Sequence, residues 1–133
     1  MKTNTASHLS AQEAQVKPVP LKGYRRMEWD QKVMRSGRLA TKTEICVVGA
    51  LLAHFNTEGE AWPSMESIAK IALCNRNNAT TAVKRLVALR FLIEYPPGRN
   101  GRKTKTYKMA LPPDLAKSNV VHLQTFIRAK REG

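Results

Sequence analysis

The chain is poor in what catalysis, metal binding and membrane passage need. Two cysteines, Cys46 and Cys74, cannot build a disulfide framework, and three scattered histidines fit no familiar zinc spacing. The ten acidic residues are dispersed. No paired carboxylates, Ser/His/Asp or Cys/His set, or glycine-rich phosphate loop emerges, so the expectation is a chain that is not an enzyme and uses no metal or cofactor. No apolar run approaches the roughly 20 residues of a bilayer span, and the opening MKTNTASHLSAQEAQ lacks the apolar stretch of a secretory signal. A soluble, cytoplasmic protein without a membrane partner is expected, and nothing marks a small-molecule site.

Acid is scarcest relative to its opposite: 23 Lys and Arg stand against 10 Asp and Glu, a net charge of +13. Such an excess implies a polyanionic partner; charge alone would suit nucleic acid or an acidic membrane surface, and the order of elements along the chain decides for nucleic acid. The 133 residues, 42% of them hydrophobic, suffice for one compact core and exclude two or more catalytic domains.

From Met1 to about Gly23 the sequence is polar, free of aromatics and broken by Pro18-Val19-Pro20, which predicts a disordered arm. Tyr24 to Gly37 has a short helical pattern, with Trp29 and Val33 four apart and leaning on the core. Thr41-Lys42-Thr43-Glu44 is a capping box, in which the Thr hydroxyl and the Glu carboxylate each take an otherwise unpaired backbone N–H. It opens a helix with an expected inward stripe of Ile45, Val48, Leu52 and Phe55, stopped by Asn56 to Gly59. Ser64 caps a short helix with Met65, Ile68, Ala69 and Ala72 inward, and after a tight Leu73-Cys74 connection Asn75 caps a third helix reaching about Leu89.

At 100° per residue, Ala79, Ala82, Val83, Leu86 and Leu89 of this third helix share a buried side. Asn77, Thr81 and Lys84 lie opposite, flanked by Arg76, Asn78, Thr80 and Arg85, and no acid occurs from Arg76 to Arg90. Phe91 to Tyr95 and Thr104 to Met109 read as a hairpin with Tyr107 and Met109 on one face. From Pro96 to Ala110 it carries five basic residues, Arg99, Arg102, Lys103, Lys105 and Lys108, and no acid. Trp62 is expected in the core near this hairpin, and the two cysteines as small packed side chains. Beyond Pro112-Pro113, Val120, Leu123 and Ile127 have helical spacing and offer either a seam for a homodimer or a face that packs back on the core, ahead of the basic end Arg128 to Arg131.

Helix, short helix, tight turn, helix and a basic-tipped hairpin is the order of a winged helix-turn-helix, a mainly α fold with a small β-hairpin (α+β). The expected domain spans 24–111, with a basic tail over 112–133. Thr41 to Leu111 also resembles the helix-turn-helix domains of phage and plasmid replication proteins and related small regulators. Trp62-Pro63-Ser64-Met65-Glu66-Ser67-Ile68-Ala69 is like that family's PS-x-x-x-[IL]-A, and Leu86 to Ile93 is like its L-x-x-x-G-[LY]-I, ahead of the Thr106-Tyr107-Lys108-Met109 strand. Arg90 stands where the family has a helix-closing glycine, and Asn75 and Asn78 replace its Ser and Thr.

The resemblance implies sequence-specific binding of double-stranded DNA by a transcriptional or plasmid-maintenance regulator of a mobile element, with a replication initiator at origin repeats as the alternative. A protein-binding adaptor is the rival of another class, and it predicts a weak, salt-insensitive response to DNA. In the DNA-binding reading Asn77 pairs with adenine, Lys84 donates to guanine and the Thr81 methyl meets thymine. Arg76 and Arg85 suit phosphates, and Ser64 caps its helix at a natural phosphate site. Arg99, Asn100, Arg102, Lys103 and Lys105 are the expected wing contacts to phosphate or the minor groove.

Overall fold

The computed structural model describes residues 17–116. A two-residue strand β1 (Val19–Pro20) and a 3-10 turn at Gly23–Arg25 lead into α1 (Arg26–Arg35), followed by α2 (Lys42–Leu52) and β2 (Glu60–Ala61). Then come α3 (Met65–Ala72), α4 (Arg76–Ala88), β3 (Leu92–Tyr95) and β4 (Thr106–Leu111). The hairpin of the sequence reading is β3 and β4, antiparallel from Leu92 opposite Met109 to Tyr95 opposite Thr106.

The other edge of β4 holds two strands end to end, β1 at Leu111 and Ala110 and β2 at Lys108 and Tyr107. This corrects the expected disordered arm where it reached Gly23. Leu21 is fully buried and its N–H donates to Met109 O at 2.9 Å. The Asn56–Gly59 turn grips the same segment: Gly23 N–H donates to Thr57 O at 2.8 Å, and a Cβ on Gly23 would collide with the Asn56 carbonyl. A polar stretch is thus ordered by one buried leucine and a line of backbone hydrogen bonds. Met1 to Val16 of that arm lie outside the described residues, as do Val120, Leu123, Ile127 and the basic end.

Each α2–α4 helix starts on the cap its sequence announces: Thr41 Oγ1 accepts from Glu44 N, Ser64 Oγ from Ser67 N and Asn75 Oδ1 from Asn78 N. The capping box is shifted by one residue, because Glu44 Oε1 takes the N–H of Ala40 at 2.8 Å rather than that of Thr41. The inward face of α2 also differs from the expected stripe. Val47, Val48, Ala50 and Leu51 are buried with Glu44, whereas Ile45 is exposed and Leu52 only half-buried. Apolar residues surround most of α2, so spacing alone does not choose its buried side; packing on α3 and α4 does.

Trp29 is the keystone of α1. Its ring is fully buried edge-on to Phe55 at 5.3 Å, and its Nε1–H is shared between Phe91 O and Ala110 O at 3.0 Å each. One indole thus ties α1 to the end of α4 and to β4, supplying the polar partner a buried tryptophan needs. Two further expectations are corrected: Trp62 is 41% exposed, and Cys46 faces solvent, while Cys74 packs against the core as expected.

Candidate nucleic-acid interface

Helix α4 is amphipathic: Ala79, Ala82, Val83 and Leu86 are buried as read, Leu89 is a half-buried C-cap packed against the core, and Asn77, Thr81 and Lys84 are exposed on the opposite side. Thr80 and Thr81 turn their hydroxyls back to the carbonyls of Arg76 and Asn77, at 2.9 and 3.0 Å, so each leaves its methyl group free of that bond. Clefts run along both flanks. One, of about 250 Å³, separates α4 from the hairpin and is lined by Ser64, Arg76, Thr80, Lys84 and Lys105 among others. The other, of about 290 Å³, lies between α4 and the first turn of α2, against Thr41, Thr43, Asn78 and Thr81. The outer face of α4 therefore stands as a ridge between two furrows.

The flanking cations are not equivalent. Arg76 lies 3.6 Å from Glu66 with both side chains largely in solvent, a pair of little strength. Arg85 is held: its Nε sits 3.2 Å from the buried Glu44 carboxylate and its Nη2 donates to Arg38 O at 3.1 Å. Lys84 makes no ion pair within 4.0 Å among the described residues.

The wing departs most from the sequence reading. It is closed by Gly98 N–H donating to Arg102 O at 2.7 Å, with Gly98, Asn100 and Gly101 at φ of +106°, +53° and +76°. Its five cations have no acid beside them in sequence, yet β2 and β3 supply two in space. Glu60 accepts Arg99 Nη2 on Oε2 and Arg102 Nη1 on Oε1, both at 2.8 Å, and Glu94 lies 3.1 Å from Lys105. The guanidiniums of Arg99 and Arg102 also cover the rings of Tyr95 and Trp62, at 3.9 and 3.6 Å from the centroids. Burial pushes the Glu60 carboxyl up, but the two guanidiniums outweigh it and hold the group below the usual carboxylate value. Asn100 and Lys103 remain exposed at the tip, Lys103 without an ion pair among the described residues.

Glu60 is the residue that sequence reasoning missed. Its signal was a single acid between Gly59 and Ala61-Trp62, too short a strand to show alternation. On β4, Tyr107 is buried as expected, and burial with the neighbouring Glu94 pushes its phenol up to about 12. No group of three or more His, Cys, Asp or Glu among the described residues could hold a metal ion, and no described helix is long and apolar enough to cross a membrane.

No curated protein matches the chain. Residues 41–92 match the family model of a helix-turn-helix domain, which takes in α2, α3 and α4 and ends at the first residue of β3. These residues are a helix-turn-helix domain, and the β3–β4 hairpin that follows makes it a winged one of α+β class.

Proposed function

We propose that the chain binds double-stranded DNA sequence-specifically and acts as a regulator by occupying its site, in the mobile-element setting that its resemblance to phage and plasmid proteins implies. A helix-turn-helix domain suggests DNA binding in general terms. The exposed face of α4 carries the finer reading: three polar side chains able to meet base edges, no acid along the helix, and a furrow on each side. In this reading α4 enters the major groove, with the Asn77 amide for adenine, Lys84 for guanine O6 and N7, and the Thr81 methyl for thymine.

Phosphates position the complex. Arg76, Asn78 and Thr80 border the ridge, and Ser64 opens α3 beside Arg76 in the hairpin-side furrow. At the wing, Asn100, Lys103 and Lys105 face the second stretch of backbone. Arg85, Arg99 and Arg102 serve mainly to hold α4 and the wing in place, since their heads are engaged by Glu44 and Glu60.

Selection of bound sites from random duplexes supplies the probe for the test. Lys84→Ala and Thr81→Ala should each lose about 1–3 kcal/mol of discrimination between the selected duplex and a mixed-sequence one. Variants that both keep the wild-type ratio of the two affinities would show that α4 does not read the sequence.

A further inference from the structure

A hairpin that meets DNA through phosphates gains from its cations only where they reach outward. Two of the five have their heads engaged: Arg102 is mostly buried, and Arg99, 36% exposed, is bound at Nη2. Glu60, with a side chain 8% exposed, takes one guanidinium on each oxygen. Arg102 is the more deeply held: its side chain is 13% exposed, its Nη1 also reaches Thr106 Oγ1 at 3.3 Å, and its plane lies on Trp62. Arg99 lies on Tyr95, and its Nε is buried with no hydrogen-bond partner. Removing a carboxylate from water is unfavourable unless its partners offset the loss. The pairing of β2 with β4 runs through backbone groups and does not itself need an acid at this position.

The second acid of the hairpin acts differently. Glu94 is a third exposed, and its partner Lys105 is about half exposed on a flexible stem, so a phosphate can compete for that ammonium. Glu60 is buried behind its arginines, so a phosphate that approaches the 36% exposed Arg99 or the mostly buried Arg102 must compete with a fixed carboxylate for the guanidinium. In a chain of net charge +13, an acid in this place subtracts two guanidiniums from the surface that faces DNA.

We propose that Glu60 is a positioning and specificity-determining residue: it withholds Arg99 and Arg102 from DNA phosphates, fixing the wing in one shape and limiting attraction to DNA of any sequence. Discrimination is then left to the face of α4, because affinity that ignores sequence competes directly with affinity that reads it. The proposal rests on the DNA-binding reading above.

The test uses the full chain and a mixed-sequence duplex of about 30 base pairs, with affinity measured at five salt concentrations from roughly 50 to 200 mM. Glu60→Gln keeps the side chain's size and removes its charge. Each guanidinium released to a phosphate steepens the slope of log K against log salt by about 0.9, worth roughly threefold in affinity across that range. The expected result is tighter binding at low salt and a slope steeper by about one to two. An unchanged or shallower slope overturns the proposal.

A flat wild-type line overturns the DNA-binding reading, and the proposal with it, and is distinct from a sloping wild-type line that Glu60→Gln fails to change. Should Glu60→Gln melt below the assay temperature, Arg99→Met decides instead. A withheld Arg99 can be removed with the wild-type slope kept, whereas a loss of about one unit would mean that Arg99 already neutralises a phosphate.

Discussion

Two helices end on residues whose backbone is in the left-handed region that glycine favours: Leu73 at φ +58° and Arg90 at φ +70°. At Arg90 the closure is a Schellman motif, with Arg90 N–H on Val87 O and Phe91 N–H on Leu86 O, both 3.0 Å, and Phe91 and Leu86 buried. A non-glycine residue there costs on the order of 1–3 kcal/mol, part of which a glycine would give back through the greater freedom of its unfolded chain. Leu73 is 92% exposed and so has little packing to lose. Leu73→Gly should therefore stabilise the fold by about 0.5–1 kcal/mol, seen as a thermal midpoint a few degrees higher. An unchanged or lower midpoint would refute the strain argument. The strained Arg90 was legible in the sequence as an arginine at a glycine position; Leu73 was not, because Leu-Cys between two caps carries no sign of its dihedrals.

Glu60 gives a pH signature with a definite sign. Its folded carboxyl lies below the ordinary 4.5, so the stability it contributes is complete above that value and is lost as pH falls through the folded pKa. Other carboxylates, among them Glu28 and Asp114, shift the same way and titrate in any variant. The difference in unfolding free energy between wild type and Glu60→Gln should therefore shrink as pH is lowered from about 6 to 3. A difference independent of pH would mean that the carboxylate charge is not what holds the arginines.

Among the elements, the three capped helices and the hairpin were legible because caps, apolar spacing and β-branched runs are local signals. The two-residue strands were not. Val19–Pro20 and Glu60–Ala61 are too short for periodicity and exist because β4 offers them an edge. Truncation separates the two halves of the expected arm. A chain beginning at Lys17 should melt with the full-length protein, whereas removal through Gly23 strips the fully buried Leu21 and the Gly23–Thr57 hydrogen bond. Burial of one leucine is worth about 1.5–3 kcal/mol, so the longer truncation should lower the midpoint by several degrees or more. Equal midpoints for both truncations would show that β1 contributes nothing to the fold.

At the scale of the molecule, nearly all the acid of the described residues is taken up by cations. Among the described residues, every acid except Asp30 has a basic partner within 4.0 Å. Lys42, at the start of α2, Lys84 on α4 and Lys103 at the wing tip have no such partner among the described residues, and neither have Lys17, Arg26, Arg35, Lys70 and Lys108 elsewhere. Net charge and the run of cations in the wing were plain in the sequence. Which cations are engaged was not, since Glu44 meets Arg85, and Glu60 meets Arg99 and Arg102, only once the chain is folded.

The proposed placement of DNA on this molecule is best tested by backbone amide shift mapping of the isotope-labelled full chain, titrated with a duplex selected by it from a random pool. Perturbations should cluster on the exposed face of α4 around Asn77, Thr81 and Lys84, at the first turns of α2 and α3, and at the wing tip around Asn100 and Lys103. Shifts concentrated instead on the far side of α1, where Met27 and Met34 are exposed, or no shifts at all, would contradict the assignment of α4 as the helix that reads DNA.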